Sequence, residues 1–188
     1  MTGGAVTQGA VTGGVLVLVE LQHVFADRDS PWYVPRFAEV HPAVRRLTAA
    51  FAGRVVHTRF VAPDVPTGAW VPYYQLFPFA LQPAGAPLYA LVDDPGADPV
   101  VTATTFGKWG PELAELVGDG PMVLAGVSTD CCVLSTALPA ADAGVGVQLV
   151  TDACAGATDA DHERALAAMA LYAPLITPTT TDAVLAGR

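Results

Sequence analysis

Short apolar runs alternate with amphipathic stretches along most of this chain. Val15–Val19, Arg54–Thr58, Val100–Thr102, Met122–Val127, Val147–Thr151 and Leu175–Thr177 read as strands. Between them, Val40–Ala52 puts Val44, Leu47 and Phe51 on one helical face. Pro111–Val117 opens with proline in a first turn, where its missing N–H costs nothing. Asp130–Ala143 runs as a helix up to Gly144, with Pro139 inside it, and Asp159–Leu171 forms another. This rhythm predicts an α/β chain: a three-layer, Rossmann-like fold with a six-stranded, mostly parallel sheet and helices on both faces. Ligands in such sheets sit beyond the carboxyl ends of the strands. Residues 1–13, built of Gly, Thr, Ala, Val and Gln after Met1, read as a flexible leader, and residues 14–188 as a single domain.

The rhythm fails between Phe60 and Pro99. Eight prolines there exclude a long helix or a central strand, while Trp70, Tyr73, Tyr74, Phe77 and Phe79 argue against disorder. A packed surface loop, a subunit contact and a substrate lid all fit such a segment.

Composition narrows the function. Hydrophobic residues make up 52% of the chain and charged ones 14%, as a buried parallel sheet requires. A net charge of −9, with no Lys/Arg run, argues against nucleic-acid and anionic-membrane partners. No apolar stretch approaches the roughly 20 residues of a membrane span, and no basic secretory start is present. Three cysteines, two of them adjacent, do not make a disulfide framework, so a cytoplasmic protein is expected.

The segment Pro121-Met-Val-Leu-Ala-Gly-Val-Ser-Thr-Asp-Cys-Cys-Val-Leu-Ser135 holds the densest chemistry. A buried strand breaks at Gly126-Val-Ser-Thr129, and a helix opens at Asp130 with Cys131 and Cys132 in its first turn. Free N–H groups and the helix dipole there favour thiolate and can hold an oxyanion. Two small core residues that happen to be cysteine would fit the same local pattern.

Gly126-Val-Ser-Thr-Asp-Cys-Cys-Val133 resembles the nucleophile motif of the isochorismatase-like cysteine hydrolases, which include nicotinamidases, N-carbamoylsarcosine amidase and ureide or biuret amidohydrolases. The resemblance extends from about Val15 to Ile176. It implies that Cys132, rather than Cys131, is the nucleophile, and that a cis peptide joins Val127 to Ser128. It also implies an acid at the end of the first strand. Glu20-Leu-Gln-His-Val-Phe25 keeps the carboxylate, one methylene longer than the family's Asp. The family's third member is a lysine, but the position aligned with it is Ala103. The chain's single lysine, Lys108, lies five residues on and is the candidate for a relocated catalytic cation; an exposed lysine with its stem along Trp109 is the alternative.

On this resemblance, Cys132 attacks an amide, carbamoyl or ureide carbon, Glu20 moves the proton, and the backbone N–H groups of Ser128 and Cys132 form the oxyanion hole. Gln22, Phe25, Trp32, Trp70, Tyr73 and Phe106 are the candidate substrate-binding residues for a small-molecule substrate. Neither metal nor other cofactor is expected: the second strand's exit lacks the family's His pair, His57 lies inside the strand, and no nucleotide fingerprint occurs. A homodimer or homotetramer is expected. Because two of three triad positions are altered, a member that binds a small molecule or partner, or performs non-hydrolytic chemistry, stands as the alternative.

Overall fold

The computed structural model describes residues 14–188, so the leader expected at 1–13 lies outside the described residues. Six strands, β1 (Val15–Val19), β2 (Val55–Phe60), β3 (Val100–Ala103), β4 (Met122–Val127), β5 (Val147–Ala155) and β6 (Ile176–Thr179), form one sheet in the order β3-β2-β1-β4-β5-β6. All five pairings are parallel. The expected sheet is therefore found, with no antiparallel strand among the described residues.

Period-two alternation along β1 sorts the core into two halves. Val17 and Val19 face the layer made by α4 (Pro111–Val117), α5 (Leu134–Asp142) and α6 (Asp159–Ala170). Leu16 and Leu18 face α1 (His23–Ala26), α2 (Phe37–Ala50) and α7 (Thr181–Ala186). Both faces of the sheet are thus covered, which explains why β4 is apolar and buried at every position.

Several element bounds differ from the apolar pattern. Helix α2 begins at Phe37, three residues early, and keeps Pro42 inside. Strand β5 continues to Ala155 because its pairing with β4 shifts register between Leu124 and Gly126, leaving extra residues bulged on β5. Asp152, which interrupts the apolar run there, accepts from the Thr181 amide and hydroxyl at the start of α7. The expected helix at Asp130 begins as a π-helical turn, Thr129–Val133, before α5 takes over. The proline-rich excursion contains α3 (Trp70–Leu76) and the 3₁₀ turns Pro78–Ala80 and Pro87–Tyr89, and closes a small core of its own around Phe60, Tyr74 and Tyr89.

The strand order reverses between β1 and β4, whose carboxyl ends therefore form the crevice of the sheet. Gly126 sets how closely they meet. Its φ is +124°, and a Cβ there would lie 2.2 Å from the carbonyl oxygen of Val19. Gly126→Ala should lower the unfolding free energy by about 3 kcal/mol or more, through backbone displacement. Gly146→Ala, with no atom within 4 Å of the added carbon, should leave it within about 1 kcal/mol. Urea midpoints of the two proteins check the contrast.

Candidate active site

Three chain segments converge at that crevice. The first is the end of β1, where Glu20 is fully buried and takes a left-handed backbone with φ +52°. Such a conformation in a non-glycine residue is strained and persists only when its surroundings hold it. Here the Glu20 N–H donates to Thr58 O at 3.1 Å and its carbonyl accepts from Gln22 N at 2.8 Å. The Gln22 side chain then locks the turn. Its Nε2 donates to Phe60 O (2.9 Å) and Tyr89 O (2.8 Å), and its Oε1 accepts from Phe60 N (2.7 Å). Gln22 is therefore not a substrate-binding residue as expected; both ends of its amide are already satisfied by backbone, and it positions Glu20.

The second segment is the loop after β3, which carries Lys108. Its ammonium lies directly against Glu20 Oε1 and donates to Thr105 O; the lysine side chain has no solvent exposure. The contact with Glu20 is one of charge more than of aligned hydrogen bonds, since neither carboxylate oxygen has a well-directed donor among the described residues. Three features bring this loop inward. Gly107 packs where a Cβ would be 2.5 Å from Ser135 O. The Lys108 N–H donates to Thr136 Oγ1 at 3.0 Å, and that hydroxyl donates to Cys132 O at 2.7 Å. Lys108 Nζ also lies 5.6 Å from the Phe60 ring centroid. Lys108 is therefore buried beside Glu20 rather than exposed with its stem along Trp109, and Ala103 ends β3.

The third segment is the π-helical turn after β4. Cys132 is buried, with its thiol against the Glu20 carboxylate, while Cys131 is half-buried. Ser128 O accepts from Cys131 N (3.3 Å) and Val133 N (3.0 Å), and the Ser128 N–H has no backbone acceptor among the described residues. The peptide between Val127 and Ser128 is cis, as the resemblance implied. Asp130 clamps the turn by accepting from the Ser128 hydroxyl and from Ala157 N at 2.9 Å. Thr129 Oγ1 and His162 Nδ1 pair at 2.9 Å.

Burial decides the electrostatics. It raises the Glu20 carboxyl above its ordinary value of 4.5, against the opposing pull of Lys108 and of the Cys132 thiol. It also pushes the Cys132 thiol well above its ordinary range, helped by the charge of Glu20, and Cys131 up to about 12. Desolvation and the adjacent carboxylate thus oppose the thiolate that the helix start was expected to favour.

Above the thiol opens a cavity of about 490 Å³. Phe25, Trp32, Tyr73 and Phe106 line it as expected. Phe60 and Phe77 join them, and their aromatic character at the exit of β2 and the end of α3 was the available signal. Trp70 does not line the cavity; it stands behind the wall, 5.2 Å from the Tyr73 ring and 5.5 Å from Phe106. Cys154 is buried within the core, and His57 lies inside β2 with its ring 3.9 Å from Asp98. Among the described residues, no group of three His, Cys, Asp or Glu is arranged to hold a metal ion, and no helix is long and apolar enough to cross a membrane.

The family profile of the isochorismatase domain matches residues 14–182. A curated relative, isochorismatase domain-containing protein 2 of Xenopus laevis, is 35% identical over 100 residues, covering 50% of this chain and 48% of its own. The chain thus spans about half the length of that relative in the matched region. Among solved structures, a cysteine hydrolase from Pseudomonas syringae pv. phaseolicola superposes with a TM-score of 0.78 at 19% identity, covering 93% of each chain. Pyrazinamidase of Pyrococcus horikoshii in complex with zinc gives 0.74 at 24% identity, over 88% of this chain and 98% of its own. These two likenesses concern the fold.

Removing Lys108 should strand a buried charge. Lys108→Met should destabilise the protein by about 3–5 kcal/mol at neutral pH, and adding Glu20→Gln should recover most of that loss. The penalty should shrink as pH falls, because protonating Glu20 removes the unpaired charge. Urea unfolding of the two variants across pH measures both effects.

Proposed function

The chain belongs to the isochorismatase domain family, and on that premise we propose that it is a cysteine-dependent hydrolase of a small amide, carbamoyl or ureide-type C–N bond. One observation carries this reading: a buried thiol and a buried carboxylate line the floor of one cavity, and a buried ammonium lies against that carboxylate. A merely structural ion pair has no need of a thiol, and a core cysteine has no need of a cavity above it.

The chemistry follows from who holds the proton. Glu20 takes it from the Cys132 thiol as Sγ bonds to the substrate carbonyl carbon. The negative charge moves from carboxylate to sulfur and on to the carbonyl oxygen, with Lys108 as its counter-ion throughout. The backbone N–H groups of Ser128 and Cys132 are the donors assigned to that oxyanion. Collapse breaks the C–N bond, and Glu20 returns the proton to the departing nitrogen, leaving a thioester on Cys132. Water then attacks with Glu20 as base, the C–S bond breaks, and the thiol regains its proton. The elevated thiol suits this sequence, since charge on sulfur appears only when a substrate carbonyl is present to receive the attack. The pyrazinamidase name carried by a structural neighbour is compatible with the same reading.

Cys132→Ser should lower turnover of a responsive amide by about 10³-fold or more, and Glu20→Gln by about 10²–10⁴-fold. Hydroxylamine added during turnover should divert product to a hydroxamate, seen by mass spectrometry. Undiminished turnover in Cys132→Ser would overturn the mechanism, and failure to cleave any of a panel of amides, carbamoyl compounds and ureides would leave a binding role.

The pH profile tests the proton's place. Glu20 must be ionised to accept a proton, and its folded pKa is raised, so kcat/KM should fall as pH drops through a value above 4.5. Lys108→Met should move that acid limb further upward, because the ammonium is what favours the carboxylate.

A further inference from the structure

The cavity above Cys132 is unequal in charge. At its floor, Glu20 and Lys108 offset one another. In its wall, Asp130 faces only neutral partners among the described residues. Its Oδ1 already accepts from the Ser128 hydroxyl and the Ala157 N–H, whereas its Oδ2 is met only by the Cys131 thiol at 3.5 Å. A thiol is a weak donor, and each carboxylate oxygen has two lone pairs, so Oδ2 keeps accepting capacity. Asp130 is partly exposed and lines the cavity, while no lysine or arginine is among its lining residues. The remaining wall is aromatic. Trp32 is its hub, with ring centroids 5.6 Å from Phe60, 5.6 Å from Phe77 and 6.2 Å from both Phe25 and Tyr73. Aromatic faces attract cations, more strongly where water is excluded.

We infer that this site, if it is the hydrolase of the preceding section, selects small amides that carry a protonated amine close to the scissile carbonyl. Asp130 Oδ2 takes the ammonium, and the rings around Trp32 cover the carbon frame. The carboxylate and the thiol line the same cavity, so one small molecule can meet both. Such a substrate gives Asp130 Oδ2 a strong donor and balances a carboxylate that has no cation partner among the described residues. An anionic amide of the same shape meets Asp130 as a like charge and finds no arginine to receive it.

Three six-membered-ring primary amides of matched shape test this: piperidine-3-carboxamide as the cation, cyclohexanecarboxamide as the neutral probe, and 3-carbamoylcyclohexanecarboxylate as the anion. Binding is measured on Cys132→Ala by tryptophan fluorescence, and hydrolysis on the unaltered protein by product release. The cation should bind about 10-fold or more tighter than the neutral probe, and the anion weakest. Asp130→Asn should bring the cation-to-neutral ratio close to one. Should that variant misfold, raising salt to about 1 M on the Cys132→Ala protein should compress the same ratio. Equal binding of the three probes, a ratio unmoved by both Asp130→Asn and salt, or no binding of the cation at millimolar concentration would overturn the inference. Charge-selective binding without turnover of any amide sinks the hydrolase reading and keeps the charge selectivity. Turnover without charge preference does the reverse.

Discussion

A buried carboxylate and a buried ammonium in direct contact organise this molecule. Taking Glu20 and Lys108 out of solvent costs several kcal/mol for each ion, and only their mutual contact offsets it. Much of the surrounding polar architecture serves to hold the two charges together. Gln22 fixes the left-handed turn at Glu20. Thr136 ties the Lys108 backbone to the carbonyl of Cys132. Gly107 lets the lysine loop lie on α5, and Gly126 lets β4 lie against β1. The net charge of the cluster is zero, and it stays zero if a proton passes from thiol to carboxylate. A low-dielectric site can therefore move charge internally without drawing a counter-ion from solvent.

The aromatic excursion after β2 has a comparable economy. It adds no strand to the sheet, yet it supplies Tyr73 and Phe77 to the cavity and supports them from behind with Trp70. Its short helix and 3₁₀ turns satisfy backbone groups that a proline-rich loop would otherwise leave to water. Of the roles open to the segment, forming a wall of the cavity is the one the packing displays.

Much of this was legible in the chain. The bounds of β1 and β4 follow from their apolar runs, and those of α4 from Pro111 at its start and Gly118 after its end. Glu20 and Cys132 were visible as polar residues at the ends of apolar strands, and Lys108 as a lone lysine among arginines. Other features depend on what a residue meets in space. Gln22 resembles a ligand-binding amide in sequence, but its partners lie 38 and 67 residues away. Trp70 and Phe77 flank the same short helix, and only its rotation decides which faces the cavity. A helix start favours thiolate only where solvent or a cation can stabilise it, and burial beside a carboxylate pushes the Cys132 thiol the other way. The start of helix α7 rests on Asp152, from the bulged part of β5, a partner that no local pattern marks.

The position of β1 at the centre of the sheet bears on how the chain is made. Val15 pairs with Met122 and Val19 with Gly126, so one edge of β1 finds its partner only after more than a hundred further residues exist. On a ribosome, β1, α2, β2 and β3 emerge with that edge unpaired and with Leu16 and Val17 short of their cover. Glu20 spends that interval beside Lys108 at most, without the Thr136 splint. Synthesis thus completes the turn that carries Cys132 and the centre of the sheet together, and until β4 is made β1 keeps an edge open to pairing with other chains.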